Sequence, residues 1–260
     1  MAAGYRGGIV LLWQLARSRR WMMGLAVLAA GTLLHAAALR DGAVVVVEAV
    51  MVTNLALALP ARVLLDRVRP PARLVLAAVA LSGGIAVFVA AAHPGTGQPG
   101  PDARAAAEVI AVGAAVAALC SVAVARVRSG RVAGFALGLA AGTLYGLAGG
   151  VLKAVVHAVP HGLAAALAGW PLWTLAVLGT WAFFLHQRAY TRAPLQASLP
   201  TLSAANPLAG LAFGTLAFGE QTAHGPAAVL GEVLGMAVVI ASVTLLGRLS
   251  RPERGSPGST

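Results

Sequence analysis

A single carboxylate, Glu48, stands in the middle of the apolar stretch 44–52. An unpaired carboxylate is costly among apolar groups, so it must find a partner or stay protonated. Residues of this kind often mark the pathways of substrates and ions through membranes. Glu48 is therefore the first candidate for function. The alternative is structural: the side chain lies near enough to the headgroups to reach water.

Two asparagines, Asn54 and Asn206, are also predicted to lie deep within apolar segments. A buried amide has to find its hydrogen-bond partners in the protein, in water or in a bound molecule. The pair could therefore line a central binding site. The alternative is that each amide only links two helices by hydrogen bonds.

The segment 195–218 is interrupted by two prolines, Pro200 and Pro207. Each proline lacks an amide hydrogen and crowds the carbonyl four residues earlier, at Gln196 and Ser203. Carbonyls exposed in a kinked helix can serve as ligands, as they do in transporters. Nearby hydroxyl groups add further candidate ligands, at Ser198, Thr201 and Ser203. Many kinked helices hold no ligand, so a purely structural kink is the alternative.

One lysine at the end of an apolar segment, Lys153, is predicted to share its depth with three other polar side chains, His35, Glu48 and Glu232. Shared depth suggests a salt bridge from Lys153 to one of the two carboxylates. The alternative is a lysine whose aliphatic stem lies in the apolar layer while its ammonium group reaches the interface.

The histidines and the cysteine predict neither a metal site nor a disulfide. His157 and His161 have the spacing of a helical metal pair, but Pro160 stands between them and no third ligand is evident. Cys120 is the only cysteine, which excludes an intramolecular disulfide, and we interpret it as a packing residue. No metal and no other cofactor is expected.

Glycines recur every four residues along the fifth apolar segment, where missing side chains let another helix approach closely. This row consists of Gly134, Gly138, Gly142, Gly146 and Gly150. Tyr145, beside the row, is added to the candidate pathway. His186, Gln187 and Tyr190 could form a gate near the inner end of the sixth segment, although amphipathic residues at an interface need no such role.

The composition of the chain predicts the environment of these residues. Of the 260 residues, 59% are hydrophobic and 10% are charged. A soluble domain of this length could not bury so much apolar surface in one core, so lipid is the expected solvent. The formal net charge is +11, but the basic residues stand in small groups between apolar segments, and no nucleic-acid partner is expected. No set of acid, base and nucleophile indicates an enzyme.

Eight apolar segments are each long enough to cross a bilayer, which needs about 20 residues. They predict an all-α membrane protein with helices at 21–39, 43–65, 73–92, 105–125, 132–152, 170–190, 195–218 and 226–246. Residues 1–20 are predicted to be an interfacial lead-in, and residues 248–260 a disordered cytoplasmic tail.

The positions of arginine and lysine predict the orientation, because cytoplasmic loops carry the excess of basic residues. If the eight segments cross the membrane in turn, sixteen of the 19 basic residues fall on one side, and only Arg40, Arg104 and Lys153 fall on the other. Both termini are therefore predicted to be cytoplasmic, and the cytoplasmic membrane of a bacterium is the expected location.

An internal repeat is predicted, with one copy at 21–126 and the other at 131–247. An offset of 152 positions superposes rare residues at comparable points of their helices: Trp21 on Trp173, Arg40 on Arg192, Asn54 on Asn206 and Gly83 on Gly235. Five spans separate the copies, so they run in opposite directions, as in many secondary transporters. The fifth segment has no counterpart, so we expect the first helix of the pattern to be missing.

A family resemblance is carried mainly by 189–220. The residues are Ala189-Tyr190, Pro194, Ala197-Ser198-Leu199-Pro200-Thr201-Leu202, Asn206-Pro207 and Phe218-Gly219-Glu220. They resemble the second half of the drug/metabolite transporter superfamily, in particular bacterial EamA-like proteins, which are related to NIPA-type magnesium transporters. Residues 33–60 are similar to the matching hairpin of the first half. The chain departs from the family by its missing first helix and by Glu48, where related sequences often have an uncharged polar residue.

The resemblance and the inverted repeat together predict a secondary transporter that moves a small solute or metabolite by alternating access. One alternative is a NIPA-type transporter of Mg²⁺ or another divalent cation. With so few carboxylates, such a site would need backbone carbonyls, amides or retained waters. The other alternative is a structural membrane protein that transports nothing. Membrane lipid and a small-molecule or cation substrate are the expected partners, and a homodimer is compatible with this reading.

Overall fold

The computed structural model describes residues 18–51, 53, 72–93, 95, 97–98, 100–192, 195–221, 223 and 225–249. Within these residues the chain is 89% helical and has no strands. The helices are α1 (Arg19–Asp41), α2 (Val44–Met51), α3 (Ala72–Ala92), α4 (Ala103–Arg126), α5 (Gly130–Ala158), α6 (Leu163–Ala168), α7 (Trp170–Arg192), α8 (Leu195–Ala217) and α9 (Pro226–Leu249), with a 3-10 turn at Val159–His161.

A helix begins within two residues of the start of each of the eight predicted segments. Most of the second predicted helix, 43–65, lies outside the described residues. The fifth helix continues to Ala158, beyond the predicted end at residue 152. Lys153 is only 1% exposed and is bonded within the protein, so the helix does not end at an interface there. The short helix α6 was not predicted.

In the part of the chain that the structure describes, five helices are long and apolar enough to cross a bilayer, which indicates a membrane protein. These spans are Met22–Asp41, Val75–Ala92, Ala103–Arg126, Gly130–His161 and Pro226–Leu245. The outer surface of the bundle is correspondingly apolar. On α1, only 6% of the span is buried, and Met23, Val27 and Leu33 are each about 70% exposed. In a bilayer these side chains contact lipid.

The central helix is α5, which packs against α1, α2, α4, α7 and α8. Its glycine row faces α8, because a Cβ at Gly138, Gly142 or Gly146 would overlap backbone atoms of α8. The contacting residues advance in the same direction along both helices, from Gly138 beside Ser198 to Gly150 beside Phe213. Helices α5 and α8 are therefore parallel and in close backbone contact.

A second packing unit is formed by α3 and α9, which contact each other extensively. The two helices are closest where a Cβ at Gly84 would meet the Gly235 carbonyl, and a Cβ at Gly235 would meet the Gly84 carbonyl. Further along, Ala91 lies beside Gly231, so the two helices are antiparallel. Leu81 and the other buried side chains of this unit form a hydrophobic core separate from that around α5.

Helix α2 lies between the two packing units and presents a different face to each. Val45 and Ala49 are buried in the α3/α9 core, whereas Val44 belongs to the α5 core. Glu48, on the same side as Val44 and one turn further on, faces α5 and α8. This short apolar helix thus places its only carboxylate, Glu48, at the boundary between the two packing units.

At one end of the bundle, the described residues between α3 and α4 cross the turn that follows α8. Backbone hydrogen bonds join Gln98 N to Phe218 O at 2.7 Å and Gly95 N to Gln221 O at 2.9 Å. Gly97 has a φ of 69°, and a Cβ there would overlap the Phe218 carbonyl. Glycine is therefore required at this crossing.

Candidate functional site

The candidate site is centred on the carboxylate of Glu48, which is 3% exposed. Asn206 of α8 donates a hydrogen bond from Nδ2 to Glu48 Oε2 at 3.0 Å. His35 of α1 places its Nε2 at 3.3 Å from Glu48 Oε1. The consecutive helices α1 and α2 and the distant helix α8 thus each contribute one polar side chain to one position inside an apolar bundle.

Two glycines make room for this carboxylate. A Cβ at Gly149 of α5 would overlap Glu48 Oε1, and a Cβ at Gly210 of α8 would lie 3.1 Å from Glu48 Cγ. Gly149 does not belong to the row of glycines that recur every four residues. Its missing side chain makes room for the carboxylate and not for the contact between α5 and α8. The cradle leaves Glu48 no freedom to move toward either helix axis.

Three polar atoms of this group have no hydrogen-bond partner among the described residues. They are Glu48 Oε1, Asn206 Oδ1 and His35 Nε2. Although Glu48 Oε1 and His35 Nε2 are close enough for an ion pair when the imidazole is protonated, their geometry does not form a hydrogen bond. Buried polar atoms are normally bonded, so unmet capacity concentrated at one place is a common sign of function.

A second buried ionic group lies about one helical turn further along α5. Lys153 Nζ donates to Glu220 Oε1 at 2.6 Å and to the Gly42 carbonyl at 2.9 Å. It also lies 4.8 Å from the centre of the Phe218 ring. Both side chains of the ion pair are at most 2% exposed.

This ion pair corrects the expectation that Lys153 pairs with Glu48 or Glu232. Glu48 lies one turn deeper, against Gly149, and Glu232 is on α9, which packs on α3 and not on α5. Because α5 and α8 are parallel, the end of α5 reaches the turn that follows α8, and Glu220 is the carboxylate in that turn. A shared predicted depth does not determine which helices are neighbours.

Glu220 also caps α2. The amide of Val44, the first residue of α2, donates to both carboxylate oxygens, at 2.9 and 3.0 Å. An anion at a helix N-terminus satisfies unpaired amides and is favoured by the helix dipole. Glu220 is held in place by the reversal at Gly219, with a φ of 63°, and by its own amide, which donates to the Gly214 carbonyl at 2.9 Å.

Aromatic and imidazole side chains form a third group between α5 and α7. Tyr145 Oη lies 3.5 Å from His186 Nδ1, and the ring of His186 lies 4.5 Å from that of Tyr190. His186 Nε2 is buried and has no partner among the described residues. Gln187, which was predicted alongside these residues, is exposed on α7 and does not join the group.

The remaining predicted residues occupy separate positions along α8 and beyond. Ser198 is buried, and its hydroxyl has no partner in the described part of the chain. Pro200 and Ser203 are buried and Thr201 is partly buried, while Pro207 lines a small apolar cleft with Ala49, Ile85, Phe88, Met236 and Val239. Asn54 lies outside the described residues.

The two histidines with metal-like spacing interact with each other through the backbone. His161 Nδ1 lies 3.2 Å from the His157 carbonyl, an arrangement that orients His161 locally. Across the described residues, no group of three or more His, Cys, Asp and Glu side chains could hold a metal ion.

Glu220 is the partner of Lys153 that the sequence interpretation missed. It is the only carboxylate between α8 and α9, directly after a glycine that ends α8. A search for acidic residues at the matching ends of parallel helices would have found it.

Comparisons with protein-family models, with curated proteins and with solved structures found no match.

Proposed function

We propose that this protein is a secondary transporter of the drug/metabolite transporter type, which moves a small solute across the cytoplasmic membrane of a bacterium. The observation that best supports this proposal is the group of Glu48, Asn206 and His35 inside an apolar helical bundle. Each of these side chains has a buried polar atom without a hydrogen-bond partner in the described residues. A protein that only fills membrane space has no need of such a group, because burying it is costly. A substrate supplies the missing partners.

The arrangement of the helices supports an inverted repeat, with eight spans in all. The offset predicted from the sequence relates α2 to α8 and α3 to α9. Each of these pairs is antiparallel and in contact: Glu48 of α2 meets Asn206 of α8, and Gly84 of α3 meets Gly235 of α9. Antiparallel contact between related helices is what a two-fold axis in the membrane plane requires. The contact between Glu48 and Asn206 therefore lies between the two proposed copies of the repeat.

The Lys153–Glu220 pair supports a closed end of the bundle on the non-cytoplasmic side. By the distribution of basic residues, the end of α5 and the start of α2 face away from the cytoplasm. The ion pair joins these two ends, and the backbone hydrogen bonds of Gly95 and Gln98 to the turn after α8 lie at the same end. We therefore infer a state that is closed on that side, and alternating access requires this closure to open.

The proposal is tested first by ligand stabilisation and then by flux. Purified protein is screened against Mg²⁺, amino acids, sugars, nucleosides and organic cations, since a ligand at 100 times its dissociation constant adds about 2.7 kcal/mol of stability. Solutes that stabilise it are then tested for uptake into proteoliposomes. We expect saturable uptake that Asn206→Ala lowers at least about tenfold. Glu108→Gln, on the exposed surface of α4, should have no effect.

The outcomes separate the candidate functions. Uptake of Mg²⁺ with no organic solute would favour the divalent-cation transporter. A folded, reconstituted protein that moves no solute would favour the structural alternative and overturn the proposal.

A further inference from the structure

Five arginines lie at one end of the bundle, where the loop between α4 and α5 meets the end of α7. A Cβ at Gly130, the first residue of α5, would lie 3.3 Å from the carbonyl of Arg192, the last residue of α7, so the loop and this helix end are neighbours. Arg188 is partly buried and the other four side chains are exposed. The five residues, which we call the arginine surface, are Arg126, Arg128, Arg131, Arg188 and Arg192.

The charge of the arginine surface is not balanced within the described part of the protein. The sequence contains no carboxylate between Glu108 and Glu220. Glu108 lies near the start of α4 and Arg126 at its end, so about 27 Å of helix separates them. None of the five arginines forms an ion pair with a described residue. Their charges therefore attract anions from outside the protein.

Basic residues at the opposite end of the same helices have acidic partners. Arg104 Nε lies 2.9 Å from Glu108 Oε1 at the start of α4. Lys153 Nζ lies 2.6 Å from Glu220 Oε1 near the end of α5. The uncompensated positive charge of these helices is therefore concentrated at the end that carries the arginine surface.

Each of the three helices also carries an exposed apolar side chain four residues from one of these arginines, on the side of the helix interior. The pairs are Val122 with Arg126 on α4, Phe135 with Arg131 on α5, and Phe184 with Arg188 on α7. The three apolar side chains are between 51% and 64% exposed. Residues four apart share a helix face. In a bilayer, an arginine at headgroup depth thus has an apolar side chain one turn deeper, beside the acyl chains.

We infer that the arginine surface binds the phosphate group of an anionic phospholipid, whose acyl chains lie against Val122, Phe135 and Phe184. The guanidinium group donates two parallel hydrogen bonds to phosphate oxygens, and its charge complements the headgroup. Basic surfaces between membrane helices bind such headgroups. A soluble phosphate would match the arginines but not the apolar side chains beneath them. The inference requires a bundle embedded in a membrane and does not rest on the proposed transport function.

The test is equilibrium binding of radiolabelled lipid to the full-length protein in detergent. The probes are dioleoyl phosphatidylglycerol and dioleoyl phosphatidylcholine, which have the same acyl chains and differ in net charge. We expect phosphatidylglycerol to bind about tenfold or more tighter than phosphatidylcholine. The double variant Arg128→Gln/Arg192→Gln should weaken phosphatidylglycerol binding by about tenfold or more, since each arginine near a headgroup contributes about fivefold in affinity. It should leave phosphatidylcholine binding unchanged.

Two further variants separate charge from folding and from position. Arg104→Gln is the matched control, because it makes the same change on an exposed arginine at the opposite end. Arg128→Lys/Arg192→Lys keeps the charge and should retain most of the affinity for phosphatidylglycerol. If the glutamine double variant does not fold, as judged by size-exclusion chromatography, the single variants Arg128→Gln and Arg128→Lys decide in the same way.

Three outcomes would overturn the inference. Equal affinity for the two lipids would refute recognition of the headgroup charge. Unchanged phosphatidylglycerol binding in the glutamine variant, or an equal loss in Arg104→Gln, would refute the arginine surface as the site. Displacement of the lipid by an excess of inorganic phosphate would indicate a site for soluble phosphate.

Discussion

Two carboxylates, Glu48 and Glu220, are buried to the same extent in the same bundle, each 3% exposed, yet their surroundings differ in kind. Glu220 receives an ammonium group and a backbone amide, and both its oxygens are bonded. Glu48 receives one amide hydrogen, and one of its oxygens is left without a partner in the described residues. Equal burial therefore does not mean equal roles: a satisfied carboxylate holds the fold together, and an unsatisfied one is available for a ligand.

The largest effect is expected when Lys153 is replaced by alanine. Glu220 would then be a buried charge that retains only the amide of Val44, and the loss of one partner from a buried pair costs about 3–5 kcal/mol. Thermal unfolding in detergent measures this loss. The double variant Lys153→Met/Glu220→Gln is the control, and it should be less destabilised than Lys153→Ala. A single variant as stable as wild type would contradict the structural role of this pair.

The cradle of Glu48 is tested by Gly149→Ala. The new Cβ would overlap Glu48 Oε1, and we expect a loss of about 1–3 kcal/mol in the free energy of unfolding. Gly179→Ala on α7 is the matched control, because a Cβ there meets nothing within 4 Å and alanine favours the helix. In a Glu48→Ala background the cost of Gly149→Ala should largely disappear. If it persists, the glycine serves some other contact.

A smaller change in stability is expected for Glu48→Gln, and it sharpens the comparison with Glu220. Glutamine has nearly the same shape and removes an uncompensated charge, which offsets the weakened bond to Asn206. We expect unfolding free energy to change by less than about 1 kcal/mol, with loss of transport. Glu220→Gln should instead destabilise the protein by about 2–3 kcal/mol, since it removes the negative charge that faces Lys153 Nζ at 2.6 Å. Equal losses in the two variants would contradict the distinction.

The smallest effect is expected for Tyr145→Phe. The hydroxyl lies 3.5 Å from His186 Nδ1, at the limit of a hydrogen bond, so its removal should cost less than about 0.5 kcal/mol. Thermal unfolding tests stability, and uptake into proteoliposomes tests function. A strong loss of transport with unchanged stability would indicate that Tyr145 lies on the substrate pathway and does more than pack between α5 and α7.

The starts of the eight predicted helices were predictable, because each apolar run begins after a polar or Pro/Gly-rich break in the local sequence. The end of the fifth helix and the short helix α6 were not predicted. The glycine row likewise indicated a close helix contact before α8 was known to be its partner. The partners of Glu48 and Lys153 were not predictable in this way. Glu48 and Asn206 were identified separately, and their hydrogen bond depends on the relative rotation of α2 and α8, which local sequence does not encode.

The cap that Glu220 places on α2 has a consequence for how fast this end of the bundle can open. Any movement of α2 away from α5 and α8 must break the bond from Val44 N to Glu220 and the bond from Lys153 to Gly42 O together, because the two bonds share one pair of side chains that the ion pair holds in place. Contacts that fail together produce a cooperative, two-state transition with a high barrier. Opening of this end is therefore expected to be all-or-none, slow and steeply dependent on temperature.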